Sequence, residues 1–170
     1  VKMAAGTGQD FAIWATPATT GSAYQQNLID TFAAEVAVSP VACPGLAEAI
    51  NEADIATIDS AIDAALDQMD PGMETIVLGC THYGLVAERI MAARAGAITL
   101  FDSPIPVAKQ TLRRIGIDAH GVGPGQPDTG EVIATYASGR LVRLPQSLSA
   151  YPAGKRLLAR ESSAAPLIEI

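Results

Sequence analysis

Thr75-Ile76-Val77-Leu78-Gly79-Cys80-Thr81-His82-Tyr83 is the stretch on which the fold turns. Residues 75–78 form a continuous apolar run of strand length. Such a run reads as a strand buried on both faces, as in a parallel sheet, and Gly79 stops it. A buried strand of this kind delivers its last residues to the carboxyl edge of the sheet, where open α/β folds bind ligands. Gly79 permits a tight exit, so Cys80 is expected on the turn between this strand and a helix over about 85–94.

Outward from this strand, short apolar runs alternate with amphipathic stretches. Phe11-Ala12-Ile13-Trp14-Ala15 predicts a buried strand, followed by a Thr/Pro/Gly turn and a helix over about 22–34. A second strand is expected over 35–42, which contains Val36, Val38 and Val41. Asp54 has the position of an N-cap, and Ile55, Ile58, Ile62, Leu66 and Met69 then recur at helical spacing until Pro71-Gly72. Beyond Tyr83 come a strand over 97–101 and a helix over 105–114, opened by Ser103-Pro104. The alternation predicts an α/β fold: a mostly parallel sheet with helices on both faces, a three-layer αβα arrangement.

Residues 116–130 break the pattern with glycines at 116, 121, 123, 125 and 130. This reads as a surface loop, not a nucleotide-binding fingerprint, because no strand leads into it and no helix follows. A last strand over 131–136 and a short helix over 145–151 are expected, with a tail from Lys155. The chain thus divides into 1–117, carrying the Gly-Cys-Thr-His motif, 118–154, a glycine-rich loop with a closing strand and helix, and 155–170, a tail.

The 170 residues are 49% hydrophobic and 17% charged, a composition that supports a packed core. A formal net charge of −7 argues against a nucleic-acid or anionic-membrane partner. No apolar run approaches the roughly 18 residues of a membrane span. Residues 1–9 lack the pattern of a signal peptide. The two cysteines, Cys43 and Cys80, are expected to be reduced thiols of a cytoplasmic protein.

Chemistry concentrates at Cys80-Thr81-His82. A helix N-terminus behind the turn would favour a thiolate and receive a carboxylate. Thr81 adds a hydroxyl, and His82 an imidazole, the group type that exchanges protons near neutral pH. A buried structural cysteine is the alternative reading of the same triplet. A zinc site would need more ligands than His82 and His120 supply, and His120 is poorly placed to serve a papain-like nucleophile.

Leu78-Gly79-Cys80-Thr81-His82-Tyr83 resembles the second cysteine motif of glutamate racemases. Further stretches fall in the same order and spacing as in that family. They are Ala15-Thr16-Pro17-Ala18-Thr19-Thr20-Gly21-Ser22-Ala23-Tyr24, Val41-Ala42-Cys43-Pro44, Phe101-Asp102-Ser103 and, more weakly, residues 134–139. The resemblance implies one half of a two-domain, pseudo-symmetric racemase. Such an enzyme needs no cofactor: one thiolate removes the α-proton of glutamate and a second thiol returns a proton to the opposite face, supplying D-glutamate for peptidoglycan. It implies Cys80 as one of the two acid/base residues, Thr81 as a substrate-binding hydroxyl, and His82 as a catalytic and substrate-binding partner of Cys80. It assigns Cys43 to a structural position. Thr16 and Thr19 are expected on a neighbouring turn at the same edge, as site residues or as simple caps. Aspartate racemases, which are similar, usually carry Glu after the Cys-Thr pair, so His82 favours glutamate.

This sequence departs from the family where Glu48-Ala49-Ile50-Asn51 replaces the usual Pro-Leu-Val-Glu, which leaves Asn51 at an acidic position, next to Glu52. The family's Asp-Ser-Gly, Pro-Tyr-Gly and Ala-Cys-Asn-Thr motifs of its first domain are absent. The expectation is therefore a partner in the form of a missing first domain, or else a homodimer that brings two Cys80 residues face to face. Other readings are a non-catalytic remnant binding a small acid or a protein, and a related aspartate racemase or decarboxylase-type enzyme.

Overall fold

The computed structural model describes residues 1–95, 97–117, 131–137 and 139–161. The chain divides into two compact units, residues 1–122 and 123–170. The first opens with α1 (Lys2–Ala5), β1 (Phe11–Ala15), α2 (Ala23–Phe32) and β2 (Val38–Ala42). There follow α3 (Leu46–Glu52), α4 (Ile55–Leu66), β3 (Thr75–Leu78), a 3-10 helix (Thr81–Val86) that runs into α5 (Ala87–Ala93), β4 (Thr99–Phe101) and α6 (Pro104–Arg114). The four strands form one parallel sheet in the order β2-β1-β3-β4.

β1 and β3 are the inner strands, and every residue of both is buried, which is why each reads as an uninterrupted apolar run. β2 is shorter than the 35–42 expected. It pairs with β1 from Phe11↔Val38 to Ala15↔Ala42, and the five residues of β1 limit the ladder. Pro40 is exposed on this edge strand, a place where a missing N–H costs the sheet nothing.

The pleat sorts the core into two layers. Phe11, Ile13 and Val77 pack with Ala4 of α1 and with Ala33, just past α2, joined by Ile29, Val38 and Phe101. Ala12, Trp14, Ile76 and Leu78 alternate with these and turn to the opposite face. There α3, α4, the 3-10 helix and α5 contact one another through buried Leu46, Ile50, Ile58, Ile62, Tyr83, Val86 and Ile90. Asp54 caps α4 as expected, accepting from the Thr57 N–H at 3.2 Å and the Thr57 hydroxyl at 2.7 Å, bonds that hold its carboxyl below the usual range.

One expected helix and one expected tail need correction. The helix expected over 85–94 is preceded by the 3-10 turn closed by Tyr83 N–H donating to the Cys80 carbonyl at 3.1 Å. Gly84, a weak helix former, lies within it, and α-helix begins only at Ala87. The tail expected from Lys155 is instead part of α7 (below), set up by Pro152 at its first position.

In the second unit β5 (Thr135–Ala137) pairs antiparallel with β6 (Arg140–Val142), so the strand expected over 131–136 is the shorter first arm of a hairpin. A 3-10 helix (Gln146–Ala150) then leads to α7 (Pro152–Leu158), with Gly154 pressed so closely on Leu148 that a side chain there would strike the Leu148 carbonyl. The 116–130 loop beyond 117, including His120, and residues 162–170 lie outside the described residues. Among the described residues no helix is long and apolar enough to cross a membrane.

Gly79 extends the β1–β3 ladder, its N–H donating to the Trp14 carbonyl at 2.8 Å. A Cβ at this position would stand 2.9 Å from that oxygen and 3.4 Å from Ala15 Cβ and Ile13 Cγ2. Gly79→Ala should therefore destabilise the fold by about 1–3 kcal/mol, the usual range for overpacking. A urea midpoint unchanged from wild type would show that β3 can move away from β1 without penalty.

Candidate active site

The connections define where a site can form. From β1 the chain steps outward to β2, and from β2 it crosses back over β1 to β3 and onward to β4. Strand order thus reverses between β1 and β3, and the crevice at their carboxyl ends is the binding position expected for an open α/β sheet. A cleft of about 430 Å³ opens there. Its walls include Thr19 after β1, Gly79, Cys80 and Thr81 after β3, Asp102 and Ser103 after β4, and Tyr24, Gln25 and Leu28 of α2.

Cys80 follows β3 and Gly79 in extended conformation and starts the 3-10 helix. It is half-buried and free. Its Sγ lies 3.6 Å from His82 Nδ1, a thiol–imidazole contact whose proton position depends on the tautomer. Thr81 and His82 are exposed. Of the three, Cys80 and Thr81 line the cleft, while His82 reaches it through the sulfur of Cys80.

Cys43 has a contrasting environment. It follows β2, its N–H donates to the Ala15 carbonyl at 2.9 Å, and it is 2% exposed. Burial pushes its thiol up to about 12, against a smaller opposing effect of a hydrogen bond with Tyr83. β1 separates β2 from β3, so two inter-strand spacings, about 9–10 Å, divide the two exits. That is too far for a disulfide, and both cysteines are free. Tyr83, fully buried, spans this gap and donates its hydroxyl to the Cys43 carbonyl at 3.4 Å. Burial, followed by the neighbouring thiols, raises its phenol far above the ordinary value.

The threonine-rich turn closes on itself. Thr16 and Thr19 share a hydroxyl contact of 3.3 Å, and Thr20 donates to the Thr16 carbonyl at 3.1 Å. Ser22 rather than Thr16 or Thr19 caps α2, so Thr19 is left at the cleft wall. Asn51 and Glu52 are exposed and do not line the cleft. Among the described residues no group of three or more His, Cys, Asp or Glu side chains is placed to hold a metal ion. Sequence reasoning gave no role to Tyr24, Gln25 or Asp102. The signal for Asp102 was its place just after a strand, and for Gln25 the Ser-x-x-Gln spacing of a capping box.

The sequence profile of the Asp/Glu/Hydantoin racemase family matches residues 1–111. The chain is 36% identical over 104 residues to a glutamate racemase of Herpetosiphon aurantiacus, covering 59% of this chain and 41% of that protein. It is 38% identical over 109 residues to a glutamate racemase of Roseiflexus sp., covering 61% and 39%. The chain thus spans about two fifths of the length of these curated relatives. Its fold is similar to that of Escherichia coli glutamate racemase in complex with L-glutamate and the activator UDP-MurNAc-ala. The TM-score there is 0.56, with 24% identity over 82% of this chain and 55% of that one. It is also similar to the Francisella tularensis glutamate racemase in complex with D-glutamate, with a TM-score of 0.58 and 18% identity over 94% of this chain and 58% of that one. With a parallel αβα sheet, a free thiol at its switch point and a family match across residues 1–111, this chain belongs to the Asp/Glu/Hydantoin racemase family.

Proposed function

We propose that this chain provides one proton-transfer face of a cofactor-independent glutamate racemase that supplies D-glutamate for peptidoglycan. The observation that carries the reading is the free Cys80 thiol on the cleft wall, 3.6 Å from His82 Nδ1. In the proposed reaction the Cys80 thiolate takes the α-proton of one enantiomer, and the electron pair stays on the α-carbon. A second thiol on the opposite face then gives up its proton to that carbon and becomes the thiolate, so protons and charge balance. His82 exchanges protons with Cys80, and the Thr81 hydroxyl holds the substrate by hydrogen bonding. The sequence has two cysteines, and Cys43 is unsuited to be the second thiol because it is buried, does not line the cleft, and sits where burial opposes the thiolate that donation would leave. The opposite face therefore comes from another polypeptide segment.

Native-state alkylation should separate the two thiols. Iodoacetamide should add one label, at Cys80, to the folded chain and two to the denatured chain, as read by peptide mass spectrometry. Cys43 labelling at a comparable rate would contradict the sealed position that removes it from the chemistry. Its raised value also has a sign: the fold favours the protonated thiol. That contribution is complete below the ordinary value of 9.0 and is lost as pH climbs from there toward about 12. Thermal unfolding of a Cys43→Ala variant should therefore show a weaker loss of stability across that window than the wild-type chain.

The 170 residues alone should not racemise glutamate at an ordinary enzymatic rate. Holding reacting groups together can lower a barrier by about 7–11 kcal/mol, and one face of a site loses much of that. A fusion to a family first domain carrying an Ala-Cys-Asn-Thr motif should restore interconversion of L- and D-glutamate, followed by polarimetry and α-proton exchange in deuterated water. Cys80→Ala in that fusion should abolish racemisation. Full activity without Cys80 would end the proposal, and activity of the chain alone that falls on dilution would replace the fusion by a pair of copies.

A further inference from the structure

We propose that the first turn of α2 is a carboxylate subsite of the cleft, with Gln25 as its specificity-determining donor; this rests on the cleft taking glutamate. Gln25 stands three residues after the N-cap Ser22, whose hydroxyl accepts from the Gln25 N–H at 3.2 Å. The Gln25 side chain turns back so that its Oε1 accepts from the Gly21 N–H at 2.7 Å. A backbone N–H only donates, so this bond fixes which end of the amide faces Gly21. The oxygen is used, and Nε2 is left as a donor directed elsewhere. Gln25 is 2% exposed, and among the described residues Nε2 has no acceptor. Buried donors of this kind are rare in folded proteins and call for a partner that completes them.

The surroundings say what that partner is. Gln25 lines the same cleft as Cys80, Thr81 and Thr19. α2 is ten residues long and has no acidic side chain in its first turn, so its free N–H groups also favour an anion. An ionised carboxylate only accepts hydrogen bonds and carries the charge that a helix N-terminus attracts. Nε2 is itself covered, so a carboxylate meets it only once a neighbouring side chain of the wall has moved aside. Tyr24, the preceding residue on the cleft, is 67% exposed and free to make room.

Gln25→Glu gives a clean test, because a glutamate keeps the acceptor for Gly21 and replaces the donor by a repelling oxygen. The ¹⁵N-labelled chain is titrated with D-glutamate and D-glutamine, following the backbone amides of Cys80 and Thr81 and the Gln25 side-chain NH2 pair, assigned by its loss in Q25E. The expected result is movement of the Gln25 pair together with Cys80 and Thr81, and binding of D-glutamate weakened by about tenfold or more in Q25E. Equal weakening for D-glutamine assigns the subsite to the α-carboxylate, and a spared D-glutamine assigns it to the distal one. Movement at Cys80 and Thr81 without movement at Gln25, with unchanged affinity in Q25E, overturns the subsite and leaves the glutamate reading in place. No movement anywhere along the cleft removes both.

Discussion

The close approach of β3 to β1 at residue 79 fixes where the chain leaves the sheet for the candidate site. The Gly79 N–H donates to the Trp14 carbonyl at 2.8 Å, and any Cβ there would crowd the ladder, since that atom would lie 2.9 Å from the same oxygen. This keeps the two central strands paired to their carboxyl ends and releases the chain only at Cys80. The thiol therefore emerges at the one place where strand order reverses and a crevice is available. A bulkier residue 79 would end the ladder earlier and let the turn, with its thiol and imidazole, drift over the sheet edge.

Two cysteines leave the ends of strands β2 and β3, on either side of β1 in the same sheet, and meet opposite fates. Cys43 follows an edge strand but is covered, and a thiolate there would lose its hydration without gaining a cation, so the proton stays on. Cys80 follows a central strand, yet its exit turn faces an open cleft, with an imidazole in contact. Strand position alone would have ranked them the other way round. Tyr83 ties the two exits together through its hydroxyl and fills the space between them, so the turn carrying Cys80 is braced against the buried one.

Much of this was readable from residue order. The continuous runs at 11–15 and 75–78 announced doubly buried strands, Asp54 announced its helix, and Ser103-Pro104 opened α6. The placement of Cys80 after β3 followed from a strand, a glycine and a cysteine in that order. What was not legible depended on competition between weak local preferences. The helix after His82 begins as a 3-10 turn because Gly84 weakens it and the Tyr83 side chain is drawn into the core. The strand over 131–136 is one arm of a hairpin whose other arm, β6, is only three residues long, too short to read as a strand in the sequence. Lys155 looked like the start of a tail because charge at a helix end resembles charge in a linker, although basic residues in a last turn suit the helix dipole. The cleft walls were hidden for another reason: Thr19, Gln25 and Asp102 come from three separate connections, and only the sheet order brings them to one edge.

The composition of those walls bears on the proposed binding of a small diacid. The described lining offers hydroxyls from Thr19, Thr81 and Ser103, an amide from Gln25, and one carboxylate, Asp102. Lys2 also lines it, but its ammonium lies 5.9 Å from the Phe32 ring centroid, where the aromatic face attracts it. In the proposed reading a carboxylate meets neutral, directional donors among these side chains, and Asp102 is the group whose charge suits an ammonium. Neutral donors hold an anion by geometry more than by charge, so binding of this kind depends little on ionic strength. In the proposed reaction the charge of a developing carbanion calls for donors of the same short-range kind. The Thr81 hydroxyl, next in sequence to the Cys80 thiol, is one such donor on this wall.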